Sequence, residues 1–209
     1  MSVTKPPAAD RPAAVARRRG GRAVQAGIIT VEFALLAIVF FTFIFGVIEV
    51  ARALYLFNTL QEVTRRAAQM AAVTDFSSPA AMAALRRQAV FRSTAGALLL
   101  GDPVTDQSIQ IQYLSVARSG AVLTLTPVGA SAMPACPARN VVNCVHDPNG
   151  AACIGLVQVM LCGAGAGACP PLAYAPMLPL VKLSFPLPPA TAIVRAGSLG
   201  YQPGMPLCP

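Results

Sequence analysis

Cysteine is missing from the first 135 residues of this 209-residue chain, and all six cysteines fall between Cys136 and Cys208. Charge is scarce as well. Only 11% of the residues are charged, with eight acids and a single histidine, His146. The stretch from Phe33 to Ile48 has no charge at all. So little charge beside 55% hydrophobic residues excludes an intrinsically disordered chain. The lack of an internal repeat excludes a solenoid. The chain is also too short for a multi-pass transporter with a large soluble portion.

The charge that exists is unevenly placed. Lys5, Arg11, Arg17, Arg18, Arg19 and Arg22 lie in the first 27 residues against one acid, Asp10. From Ile28 onward ten basic and seven acidic residues leave a net charge of only +3, although the whole chain carries +8. Directly after the basic start, residues 28–48 read IITVEFALLAIVFFTFIFGVI, with Glu32 as the one charge. At about 1.5 Å per helical residue this run spans roughly 30 Å, the hydrocarbon thickness of a bilayer. Beyond Glu32 it has no polar face apart from Thr42, as expected for a membrane helix and not for a soluble core helix. The positive-inside rule keeps the basic start in the cytoplasm and sends the C-terminal part across. The run exceeds the apolar region of an ordinary secretory signal and has no small-residue cleavage site after it, so it reads as an anchor.

Glu32 does not fit a plain anchor, because a carboxylate in lipid needs a partner. Its setting is Gln25-Ala26-Gly27-Ile28-Ile29-Thr30-Val31-Glu32-Phe33, a basic leader ending in glycine with an acid at the fifth position after it. This resembles a type IV prepilin processing site. The resemblance implies that a membrane-embedded prepilin peptidase cuts between Gly27 and Ile28, and that Glu32 pairs with a new N-terminal amine during assembly. Three further blocks narrow it: Val31-Glu32-Phe33-Ala34-Leu35, Gly46-Val47-Ile48-Glu49-Val50-Ala51-Arg52, and Asn58-Thr59-Leu60 followed by Arg65-Arg66-Ala67-Ala68. Together they resemble the TadE-like pseudopilins, minor pilins of the tight-adherence (Flp-type) pilus machinery. The likeness covers roughly residues 27–74. It departs from the family in lacking the proline common after the VEFAL block, where Ala37 and Ile38 stand, and in its Thr64-Arg65-Arg66 group. The cysteine-rich end lies outside it.

The remaining chain sorts by periodicity. Val50, Leu54, Phe57, Leu60, Val63, Ala67 and Met70 recur every three or four residues and predict an amphipathic stem over 49–74, with Glu49 and Arg52 off the apolar stripe. Ser78 as cap and Pro79 as first helical residue predict a second helix from Pro79 to about Leu99, ended by Gly101 and Pro103. Its Arg86, Arg87 and Arg92 read as a solvated face, with an anionic partner as the alternative. Alternation at Ser108–Tyr113, a Ser119-Gly120 turn and Ala121–Thr126 predict a hairpin, with further strands at Leu156–Leu161 and Val181–Phe185. Gly163–Pro171 reads as a surface loop. The expected fold class is α+β and pilin-like: a long N-terminal transmembrane and amphipathic helix carrying a small antiparallel sheet in a disulfide-containing head over 75–209.

Cys136, Cys144, Cys153, Cys162, Cys169 and Cys208 are even in number and lie on the exported side, which favours disulfides. Zinc is the competing reading, weakened by the lack of a C-x-x-C pair and of a second histidine; free thiols are the third. Six cysteines allow 15 pairings, and their spacing does not choose among them. No catalytic constellation, cofactor motif or metal set is evident. His146 would have to act alone, and the Gly-Ala run lacks the lysine of a phosphate loop. The basic leader serves topology and anionic lipid, with no nucleic-acid role. The expected function is a structural, non-enzymatic minor pilin. Its partners are a prepilin peptidase, other pilins and inner-membrane pilus assembly proteins, and membrane lipid. It sits in the bacterial inner membrane as a single-pass protein with a periplasmic head, or is carried into the pilus. The alternatives are an unprocessed, signal-anchored adhesive or binding protein and, less favoured, an extracytoplasmic enzyme.

Overall fold

The structure, a computed structural model, describes residues 23–164, 169–177 and 185–208. The basic leader up to residue 22, residues 165–168 of the expected surface loop and residues 181–184 of the expected strand lie outside the described residues. By internal contacts the chain forms two units, one through Ile44 and one from Phe45 to Pro209.

Helix α1 covers Ala23–Ala71, so Gly27 and Ile28 are themselves helical. In the second unit its buried face beyond Tyr55 is Leu56, Leu60, Val63, Thr64, Ala67, Ala68 and Ala71, again three and four apart. This face is rotated from the expected one. Leu60, Val63 and Ala67 point inward as the spacing predicted, but Val50 and Leu54 are 59% and 56% exposed. Each fully buried leucine contributes roughly 1.5–3 kcal/mol. Thr64 is tolerated on this face because its hydroxyl donates to Leu60 O (3.1 Å) and Gln61 O (3.0 Å).

Helix α2 covers Pro79–Ala89, with Ser78 accepting from Ala81 N (3.3 Å) as the sequence predicted. It ends ten residues earlier than expected. Phe91 takes φ 58°, Phe91 N donates to Gln88 O (3.1 Å) and Arg92 N to Arg87 O (2.9 Å), the paired bonds of a Schellman cap. The stop signal usually carried by glycine is here on a phenylalanine, which periodicity cannot reveal.

Strands β1 (Ile109–Ser119), β2 (Val122–Pro127), β3 (Leu156–Leu161) and β4 (Thr191–Arg195) form one antiparallel sheet in the order β2-β1-β3-β4. Gly120, at φ 63°, begins the two-residue loop between β1 and β2, a conformation that glycine adopts without strain. Ile109 lies opposite Leu161 and Tyr113 opposite Val157, so these side chains share the sheet face that packs on α1 and α2. The fourth strand of the sheet is Thr191–Arg195, a segment for which the sequence predicted no strand. It was passed over because its residues alternate between half-buried and exposed at the sheet edge, leaving a weak signal. Helix α3 (Pro137–His146) was also missed, since Cys136 occupies its cap position and provides no side-chain cap bond. Asn140 of α3 is buried and accepts from Ile154 N (2.8 Å), tying the helix to the approach to β3.

All six cysteines are paired: Cys136–Cys208, Cys144–Cys153 and Cys162–Cys169. The first bridges a sequence separation of 72, the others 9 and 7. Loop-closure entropy then ranks them. Replacing Cys136 and Cys208 by Ala is expected to cost about 4 kcal/mol, and replacing Cys162 and Cys169 about 2.5 kcal/mol. Denaturant unfolding of the two double variants checks this, and an equal or reversed loss would contradict the ranking.

Candidate anchoring and assembly site

The sequence points to the apolar segment, and the structure adds a second centre within the unit that begins at Phe45. Among the described residues, Ile29–Ala71 is long and apolar enough to cross a membrane; its most apolar stretch has mean hydropathy 2.6 and is not buried by the protein. Ile29, Val31, Phe33, Leu35, Leu36, Val39, Phe40 and Phe43 are all exposed. Such a surface is stable only with apolar cover. Glu32 is exposed in this stretch and has no ion pair among the described residues. Phe33 follows it on the same exposed surface.

The second centre lies at the start of the stem, in the unit that begins at Phe45. Glu49 and Arg52, expected off the buried stripe, are 2% and 8% exposed. They stand 3.5 Å apart, one helical turn along α1. Arg52 spreads its donors over the head: Nε to Leu100 O (2.9 Å), Nη2 to Asp102 O (3.1 Å), and Nη1 to Ala175 O (2.6 Å). Its guanidinium also lies over the Tyr174 ring, 5.3 Å from the centroid. Glu49 Oε1 accepts from the Tyr174 hydroxyl and from Met177 N (3.2 Å). Two segments of the head, 100–102 and 174–177, are thereby clasped to one turn of α1.

The aromatic packing supports the same joint. Tyr174 stacks on Phe185 with ring centroids 4.6 Å apart, and Phe185 meets Phe57 of α1 edge-on at 6.3 Å. Burial raises the Tyr174 phenol above its ordinary value, and the hydrogen bond to Glu49 adds to the rise, so the tyrosine stays a donor. Burying an ion pair costs desolvation, repaid only where the remaining donors and acceptors are satisfied. Here every guanidinium nitrogen has a partner. The clasp is therefore a structural joint with demanding geometry. In the sequence its one trace is an acid and a base three residues apart just after the apolar run. Elsewhere in the core, burial pushes Tyr113 up to about 12, and Arg86 partly opposes the rise.

Arg87 of α2 and Arg92, beyond its end, line with Arg66 of α1 a shallow depression of about 460 Å³, where the Arg66 guanidinium lies 4.9 Å from the centre of the Phe91 ring.

The described residues thus combine a long, exposed apolar helix with an α+β head that holds a four-stranded antiparallel sheet and three disulfides. Residues 27–69 match the family model described as TadE-like protein. The chain thus carries a TadE-like domain, as the resemblance of its sequence implied, over a span that includes Gly27, Glu32, Glu49 and Arg52. Comparison with curated proteins and with solved structures gave no match.

Proposed function

We propose that the chain is a minor pilin of a tight-adherence pilus, made as a precursor and cut by a prepilin peptidase between Gly27 and Ile28. The observation that carries this reading is the TadE-like match beginning at Gly27, joined to an exposed apolar helix whose first turns hold one carboxylate, Glu32. The basic leader holds the precursor with its N-terminus in the cytoplasm. Cleavage leaves a cationic amine on Ile28 beside lipid, and Glu32 of a neighbouring subunit neutralises it. The Ile28–Ile48 segment stays in the inner membrane until assembly, while the head faces the periplasm or the pilus surface. Because Gly27 and Ile28 lie within α1, the peptidase has to open a turn of helix to reach the bond; glycine lowers that barrier by weakening the helix by about 1 kcal/mol relative to alanine.

Mass spectrometry of the membrane-extracted protein tests the reading. A mature N-terminus at Ile28 is expected, and Gly27→Val is expected to leave the leader in place. An intact leader on the wild-type chain sinks the pilin reading in favour of an unprocessed anchored protein.

A further inference from the structure

The apolar run ends at Ile48 in the sequence only because Glu49 and then Arg52 follow it. In the folded protein both charges are buried against the head, so neither meets the surroundings of α1. The next charged residue of α1 is Glu62, and the first polar residue after Arg52 is Tyr55, followed by Asn58. The surface that lipid can meet therefore continues past Ile48 by up to about 15 Å of helix. The headgroup zone on each side of a bilayer is only roughly 5–7 Å thick. Within that reach lie Val50 and Leu54, both more than half exposed.

The head brings apolar side chains to the same level. Arg52 Nε holds Leu100 O, and the Tyr55 hydroxyl donates to Leu99 O (3.3 Å). The loop so pinned leaves Leu99 70% and Leu100 56% exposed, the latter at φ 55°, a conformation that costs a non-glycine residue energy. Met177, whose backbone N–H is bound by Glu49, is half exposed beside it. A soluble head gains nothing from two adjacent leucines displayed at the root of its stem. A head resting on a membrane does, since apolar side chains and a tyrosine at headgroup depth are favoured there.

We infer that the base of the head is a second membrane contact: Val50, Leu54, Tyr55, Leu99, Leu100 and Met177 form an apolar collar around α1 that sinks into the outer interface of the bilayer α1 crosses. The occupant is lipid because Val50 and Leu54 continue the exposed apolar surface of Val47 and Ile48 along α1, and none of the six collar residues is charged; the exposed Asp102, two residues past Leu100, bounds the collar on its aqueous side. The Glu49–Arg52 clasp gains a role from this: it removes the two charges that would otherwise hold the collar in water, and it ties the leucine loop at membrane depth. The inference rests on α1 spanning a membrane.

The chain has no tryptophan, so a single introduced one reports its own surroundings. The full chain is reconstituted in phosphatidylcholine–phosphatidylglycerol vesicles as Leu99→Trp, with Val145→Trp on the exposed side of α3 and Phe40→Trp in the apolar segment as references. Lipids brominated near the headgroup are expected to quench Leu99→Trp roughly twofold or more, as for an interfacial aromatic, and to protect it from acrylamide. Val145→Trp should be quenched by acrylamide alone, and Phe40→Trp by lipids brominated deep in the chain. If Phe40→Trp is lipid-quenched while Leu99→Trp behaves like Val145→Trp, the collar is refuted and the anchor stands. Shielding of Leu99→Trp from acrylamide without lipid quenching also refutes it, because protein then covers the loop. If Phe40→Trp is not quenched by lipid, the membrane-spanning reading fails and the collar fails with it.

Discussion

Replacing Arg52 by Ala is expected to lower the stability of the head by about 3–5 kcal/mol, the range seen when one partner of a buried ion pair is removed. The loss has two sources. Three backbone carbonyls, of Leu100, Asp102 and Ala175, lose their donor, and the buried Glu49 carboxylate loses its counter-charge while keeping Tyr174 and Met177 N as donors. Thermal or denaturant unfolding in detergent reads the effect. The double variant Glu49→Gln/Arg52→Ala should be less destabilised than the sum of the two single changes, since it leaves no uncompensated charge. Arg52→Lys should fall between, because one ammonium cannot span three carbonyls on two segments. A loss below about 1 kcal/mol for Arg52→Ala, typical of an exposed pair, would show that the clasp is solvated and of little weight.

Glu32→Val is expected to leave processing at Gly27 largely intact and to reduce pili at the cell surface about tenfold or more. A carboxylate–ammonium pair near 4 Å at an effective dielectric of about 20 is worth about 4 kcal/mol, well above the 1.4 kcal/mol that a tenfold change in an equilibrium requires. The substitution makes the segment more apolar, so insertion is expected to be unimpaired; on the proposed mechanism the loss is that of the partner for a neighbour's Ile28 amine. Glu32→Gln should resemble Glu32→Val, and Glu32→Asp should retain part of the assembly. Electron microscopy for pili, with mass spectrometry of the same membranes, separates the two steps. Normal piliation in Glu32→Val would remove Glu32 from the assembly mechanism, whatever the state of the leader.

The two changes act at different levels. Glu32 lies in the apolar segment, its proposed role is between subunits, and it has no ion pair among the described residues. Arg52 works within one subunit, fixing the head to the stem. Both lie inside the TadE-like span of residues 27–69, and the head beyond that span is joined to it through backbone carbonyls and Tyr174. The buried face of α1, with Leu56, Leu60, Val63, Ala67 and Ala71, adds apolar packing against the sheet of the head.

What the sequence determined by itself was local or compositional. The long apolar helix follows from an uninterrupted apolar run, and the capped start of α2 from Ser78-Pro79. The β1–β2 hairpin follows from alternation around Gly120, and β3 from its run at Leu156–Leu161. Each signal sits within a few residues of the element it specifies. The tertiary structure decided what depends on distant partners: which of 15 cysteine pairings forms, that Phe91 takes the glycine role at the end of α2, and that Thr191–Arg195 completes the sheet. Above all it decided where the apolar surface of α1 stops. Glu49 and Arg52 read as solvent-facing because a charge seeks water unless paired and hydrogen-bonded. Their partners lie from 48 to 128 residues away, at Leu100, Tyr174 and Met177, and only the folded head brings them within reach.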